Sequence, residues 1–177
     1  MAGAFRIGGL TGHNPEALAS AAASSDSEGA ANDAAIQLVT FFLAGEEYAL
    51  AITRIREIIG ITATTRLPHA LPHVRGLINL RGEVIPVLDL RVRFALKTEP
   101  TTPAATIIAE WQGETFGFTV DSVHQVVWLP TDRIDPPSSV IERQSPYVKG
   151  LGKYQDRLLI LLDLDALFGD GEDESSR

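Results

Sequence analysis

Four histidines are the first residues that could do chemistry: His13, His69, His73 and His124. His69 and His73 stand four apart, the spacing at which two imidazoles on one helical face can share a zinc ion. They lie in Leu67-Pro68-His69-Ala70-Leu71-Pro72-His73, where two prolines disfavour a continuous helix, and no HExxH or other acidic partner follows. Loop histidines are expected there. Cysteine is absent, which removes disulfides, thiolate metal sites and a cysteine nucleophile. Asp89, Asp163 and Asp165 could pass for a carboxylate cluster, but Asp89 and Asp163 stand at strand ends, where capping the following turn is the plainer role. The sequence has no G-x-S-x-G elbow, P-loop or G-x-G-x-x-G, and the stretch from Gly76 to Gly82 carries Arg81 without the Lys-Ser/Thr ending that grips a phosphate. Nothing assembles a nucleophile, a base and an orienting partner, so no enzyme, cofactor or metal is expected.

The chemistry left is recognition, and composition bounds what can present it. The chain has 177 residues, 45% hydrophobic and 21% charged, enough for one packed domain or two very small ones. The longest apolar run, Leu158 to Leu162, is strand length, far below the ~20 residues of a membrane span. Gly8, Gly9, Gly12, His13, Asn14 and Pro15 interrupt the N-terminus before a signal-peptide h-region can form, so a cytoplasmic location is expected. Of the net charge of −8, residues 1–35 and 169–177 each hold −3. Residues 54–97 hold +5 and residues 98–168 hold −5. A phosphate-binding domain would be net basic, so nucleic acid is not an expected partner, whereas the asymmetry suits docking to proteins.

The elements that must position any such surface are short strands. Residues 1–35, rich in Ala, Ser and Gly, read as a flexible leader with a transient helix at Glu16–Ala23, and 169–177 as an acidic disordered tail. Strands are expected at Ile36–Leu43, Tyr48–Ile52, Arg56–Ile61, Gly76–Leu80, Val84–Leu90, Ala104–Trp111, Thr115–Val120, Val123–Leu129, Gly150–Tyr154 and Leu158–Asp163. Arg81-Gly82-Glu83 makes a hairpin-like turn, and Pro86 argues for an edge strand or a bulge. Pro130–Pro146 reads as a loop, and Leu164–Phe168 as a short helix.

The strands repeat. At an offset of 68, Leu38–Phe42 overlies Thr106–Glu110, Tyr48–Ile52 overlies Phe116–Val120, and Ile55, Glu57, Ile58 and Ile59 overlie Val123, Gln125, Val126 and Val127. At an offset of 74, seven of the twenty-one positions from Val74 to Phe94 are identical, including Gly76 with Gly150, Asp89 with Asp163 and Phe94 with Phe168. The six-residue growth in offset puts an insertion in the second copy's Pro-rich loop. A copy of ~65 residues buries little on its own, so the sequence predicts an all-β protein of two small barrels packed along an apolar seam. The expected divisions are a leader (1–35), a double-barrel domain (36–168, with interleaved subdomains near 36–97 and 104–168) and a tail (169–177).

Divergence between the copies locates the candidate site. Glu57 faces Gln125 in the alignment, and Asn79-Leu80-Arg81-Gly82-Glu83 faces Lys153-Tyr154-Gln155-Asp156-Arg157. Asn79 and Arg81 supply donors and Glu57 accepts; beside exposed isoleucines they could frame a protein-docking groove. A solvated turn with an incidental Glu57–Arg81 pair, worth under about 1 kcal/mol, accounts for the same residues.

The stretch Val74-Arg75-Gly76-Leu77-Ile78-Asn79-Leu80-Arg81-Gly82-Glu83-Val84-Ile85-Pro86-Val87-Leu88-Asp89-Leu90-Arg91-Val92-Arg93-Phe94 closely resembles the signature of the CheW family of chemotaxis coupling proteins. Gln37–Phe42, Tyr48, Ile55-Arg56-Glu57-Ile58, Gly117–Val123 and Gly150–Asp163 are similar to that family too, so the likeness covers 36–168. The resemblance implies two SH3-like five-stranded barrels without catalytic activity, bridging the cytoplasmic tips of methyl-accepting chemoreceptors to the regulatory domain of the histidine kinase CheA. It implies receptor-binding or signalling roles for Ile55, Glu57, Gly76, Asn79 and Arg81, and a conformational role for Gly82, which lets the hairpin reverse. It assigns no kinase-contact residue, leaves CheW–CheW self-association open, and implies no membrane insertion. Ala49 and Ala51 depart from the Gly and Asp often found in the family, and the leader is longer than the family needs.

Two rival readings stand beside this one. A double-barrel module of a CheV- or CheA-type protein would carry a receiver or ATPase segment, and none is seen between Met1 and Arg177. A small barrel binding single-stranded nucleic acid would present aromatics interleaved with bases, whereas Phe41, Phe42, Tyr48, Phe116 and Phe118 suit cores better.

Overall fold

The structure is a computed structural model and describes residues 34–97 and 102–169. The leader through residue 33 and the tail beyond 169, with the expected Glu16–Ala23 helix, lie outside the described residues. The elements run β1 (Ala35–Leu43), β2 (Glu46–Ala51), β3 (Ile55–Gly60), β4 (Val74–Leu80), β5 (Glu83–Asp89), α1 (Leu90–Arg93), β6 (Ala105–Trp111), β7 (Glu114–Val120), β8 (Ser122–Pro130), β9 (Ile134–Asp135), α2 (Ser139–Gln144), β10 (Val148–Tyr154), β11 (Arg157–Leu162) and α3 (Leu164–Gly169).

Two sheets result, in the orders β8-β1-β2-β11-β10-β9 and β3-β6-β7-β5-β4. The sequence repeat maps β1, β2, β8, β10 and β11 onto β6, β7, β3, β4 and β5, and this mapping superposes the two strand orders. Register follows it to the residue. The parallel pairs Leu161↔Ala49 and Val87↔Gly117 are repeat equivalents, as are the bulges at Val148/Gly150 and Val74/Gly76. The copies at 36–97 and 104–168 nonetheless do not coincide with the sheets. The second sheet is the continuous run β3 to β7, and the first takes β1 and β2 from one copy and β8 to β11 from the other. Each barrel is thus completed by strands from both copies, as in a swapped dimer joined into one chain.

The core explains why single copies do not suffice. Among the described residues, the largest buried cluster holds sixteen side chains and spans both sheets: Val39, Phe41, Tyr48 and Leu50 on one side face Ile107, Phe116, Phe118 and Val120 on the other. The clusters inside each barrel are smaller, built around Leu38, Val127, Leu129 and Leu159 and around Ile59, Ile78, Ile85 and Ile108. On β1, Leu38 faces the barrel interior while Val39 and Phe41 face the seam, so the strand is apolar on both faces and reads as an unbroken run. Within the first sheet the ends curl together, for a Cβ on Gly152 of β10 would run into Leu129 of β8.

Local chemistry sets the element ends. Asp89 accepts from the N–H groups of Arg91 (2.9 Å) and Val92 (3.4 Å), and Asp163 from those of Asp165 (2.9 Å) and Ala166 (3.2 Å). Both aspartates are therefore helix caps. His69 sits at φ +60 in the loop before β4, so the two loop histidines share no helix face. Pro86 corrects the edge-strand expectation: β5 lies between β7 and β4. Its missing N–H is tolerated because the parallel pairing to β7 begins only at Val87, one position later than the equivalent Ile160↔Tyr48 pair begins in the other sheet. The Pro-rich loop also departs from expectation, since it contains β9 and α2, capped by Ser138.

Candidate functional site

The candidate residues gather where β3 and the β4–β5 hairpin meet. A bulge between Ile55 and Glu57 leaves Arg56 as the extra residue on β3. Ile55 is half-buried against the seam. The Glu57 carboxylate, with its side chain 21% exposed, accepts from Arg81 Nη2, whose side chain is 62% exposed. Arg81 and Gly82 form the two-residue hairpin turn, at φ +52 and +88. Both angles lie where type I′ turns need them, and glycine adopts its own without strain. Asn79 Oδ1 accepts from the Gly82 N–H at 2.8 Å, so Asn79 fixes the turn that presents Arg81. Val84, opposite Asn79 across the hairpin, is 61% exposed and adds an apolar surface beside these polar groups.

Gly76 lies apart from this cluster. It is buried at the far end of β4, five residues from Arg81 and so ~17 Å along the strand. Its φ is +145, and a Cβ there would press into the Thr65 carbonyl, 2.9 Å from its carbon. Thr65 and Leu77 exchange two backbone hydrogen bonds of 2.8 Å at this point. Only glycine lets the loop strand at Thr65 approach that closely.

Sequence spacing did not reveal Arg56, Glu83 and Thr115. Arg56 Nη1 donates to Glu83 Oε2 (2.7 Å) and Thr115 Oγ1 (3.2 Å). The hydrogen bond from Arg56, then that involving Thr115, then the Arg56 and Arg81 charges hold the Glu83 carboxyl below the usual carboxylate range. The only hint in the sequence is the charge pattern Arg56-Glu57 with Arg81-Gly82-Glu83, whose meaning depends on the bulge. Across the seam, Arg91 pairs with Asp121, which also accepts from the Ala44 N–H at 2.8 Å. That clasp ties the β5 end of one sheet to the β1–β2 turn of the other.

Of the aromatics that a single-strand-binding barrel would display, Phe41, Tyr48, Phe116 and Phe118 are buried, while Phe42, expected in a core, is only half-buried and Trp128 is exposed; burial pushes the Tyr48 hydroxyl up. No helix among the described residues is long and apolar enough to cross a membrane.

Comparison with known proteins agrees with this geometry. The CheW-like domain family matches residues 37–172. A probable chemotaxis protein CheW of Rhizobium etli is 33% identical over 144 residues, covering 79% of this chain and 92% of that protein. The chemotaxis protein CheW of Klebsiella aerogenes is 32% identical, covering 77% and 83%. The crystal structure of the scaffolding protein TtCheW from Thermoanaerobacter tengcongensis superposes with a TM-score of 0.69 at 33% identity, over 72% of this chain and 88% of that one. With the doubled strand order and the Asn79–Arg81–Gly82 turn in place, these matches leave one conclusion: the chain belongs to the CheW-like domain family.

Proposed function

We propose that the protein is a non-catalytic adaptor that couples methyl-accepting chemoreceptors to the histidine kinase CheA, at the cytoplasmic face of receptor arrays. Membership of the CheW-like family over residues 37–172 carries this reading. Ile55, Glu57, Asn79 and Arg81 form the receptor-facing surface: Ile55 and Val84 offer apolar contact, Asn79 and Gly82 set the turn, and Arg81 holds N–H groups beyond the one given to Glu57. A hairpin of helices from the receptor tip would lay its apolar face along such a surface. Gly76 supports the fold behind it. The kinase regulatory domain, itself a double barrel, docks elsewhere on the molecule. Coupling is geometric, because holding kinase and receptor together lets a receptor change bias the kinase equilibrium.

A CheV-type arrangement is the second reading. The CheV3 protein of Helicobacter pylori is 24% identical, and this chain covers 48% of it, against 83–92% of the CheW proteins above. The test is Arg81→Ala in pull-downs with a receptor cytoplasmic-tip fragment and with CheA. Loss of receptor capture with kinase capture and the circular dichroism spectrum kept is expected; unchanged receptor capture removes Arg81 from the interface.

A further inference from the structure

Resting on the reading of Arg81 as a receptor contact, we propose that Arg56 and Glu83 are positioning residues that hold the Arg81 turn in its docking orientation. Strand order places β3 at one edge of its sheet and β4 at the other, with no backbone pairing between β3 and the β4–β5 hairpin. Side chains bridge that gap twice: Glu57 with Arg81, and Arg56 with Glu83 at 2.7 Å. Glu83 is the first residue after the turn that carries Arg81, so its anchorage is the anchorage of the turn. Arg56 is held in place by the bulge that loops it out and by Thr115 of β7 at 3.2 Å.

The two bridges have different jobs. When Arg81 turns its N–H groups to a carboxylate or carbonyl oxygen on a partner helix, the Glu57 bridge weakens. The Arg56–Glu83 bridge keeps the hairpin tip against β3 during that exchange, so less ordering is left for the partner to impose. The other copy keeps the bulge, at His124, but not the charges: the equivalents of Arg56, Glu57, Arg81 and Glu83 are His124, Gln125, Gln155 and Arg157, and Arg157 instead pairs with Glu47 at 3.0 Å. One barrel alone carries the four-charge arrangement, as a dedicated docking edge requires.

Two readouts on the full chain separate this role from the receptor reading itself. The first is the order parameter of the Arg81 Nε–H by nitrogen relaxation, measured without any partner. The second is calorimetric affinity for a receptor cytoplasmic-tip fragment. Arg56→Gln and Glu83→Gln should lower the Arg81 order parameter and weaken binding about two- to five-fold, the range of one exposed ion pair, with a melting temperature lowered by at most a few degrees. The double variant should be no weaker than either single one, and Arg56→Lys, which keeps the cation, should bind more tightly than Arg56→Gln. An unchanged Arg81 order parameter in Glu83→Gln, with wild-type binding intact, overturns the positioning role alone. A wild-type chain that ignores the fragment, or an Arg81→Ala variant that binds it equally well, overturns the receptor reading and this inference with it.

Discussion

Gly76→Ala should destabilise the protein by far more than its one added methyl group suggests, and more than Gly82→Ala. Both positions have positive φ, +145 and +88, so an alanine is strained at either by about 1–3 kcal/mol. They differ in surroundings. A Cβ at Gly82 meets nothing within 4 Å, whereas one at Gly76 overlaps the Thr65 carbonyl, with its carbon at 2.9 Å. That contact is backbone and cannot rotate away. Relief requires Thr65 to withdraw from Leu77, putting at risk two 2.8 Å hydrogen bonds, each worth about 0.5–1.5 kcal/mol net. The expected totals are about 2–6 kcal/mol for Gly76→Ala and about 1–3 kcal/mol for Gly82→Ala. Urea unfolding followed by circular dichroism measures both, and m-values should stay equal if only native contacts change. Equal losses at the two positions would refute the close-approach argument. The same experiment separates fold from function: any receptor-binding defect of Gly76→Ala should scale with its unfolded fraction, while that of Arg81→Ala should appear in a fully folded protein.

Two further outcomes follow from local geometry. Asp89→Ala removes the acceptor for the Arg91 and Val92 N–H groups and should cost about 1 kcal/mol in urea unfolding, with Asp89→Asn losing only part of that. His73 has its pKa lowered from 6.5, by burial first and then by the Arg93 charge. The unfolded chain therefore takes up the proton at higher pH than the folded one, so this histidine subtracts stability as pH falls through 6.5 toward the folded-state value and subtracts nothing further below it. Melting temperatures of His73→Gln should show a shallower pH slope across that window; an identical slope would clear His73 of the role.

Much of the fold could be read in the sequence, and the part that could not has a physical reason. Alternation and turn residues placed the strands, and the repeat matched Gly76 with Gly150, the two positions where the structure has paired bulges that the sequence did not forecast. Hydrophobic periodicity reports which face of a strand is buried, however, and not which copy buries it. The exchange of strands between copies rests on three-residue and one-residue connections, Ile52–Arg54 and Asp121, that carry no distinctive signal. Proline flanks hid α2, although Ser138 offered a capping signal two positions after Pro136. At the site, Glu57 and Arg81 stood out because the copies differ there, and their pairing could be anticipated. Arg56 and Glu83 are 27 residues apart and meet only because a bulge turns Arg56 outward, which charge type and spacing cannot forecast.

The seam bears on how such an adaptor could transmit a signal. Moving one barrel against the other would expose side chains such as Phe41, Phe118, Leu50 and Ile107, each at most 3% exposed, at about 1.5–3 kcal/mol for every fully buried large side chain. Even four of them amount to more than a signalling equilibrium of a few kcal/mol can supply. The clasp of Arg91 with Asp121 and the short crossings at Ile52–Arg54 and Asp121 add restraint at the margin. A hinge between the barrels is therefore the wrong place to seek the switch. In the proposed coupling role the double barrel would therefore serve as a rigid spacer, its exchanged strands tying the Arg81 edge to the other half, with the bistable element left to the partners.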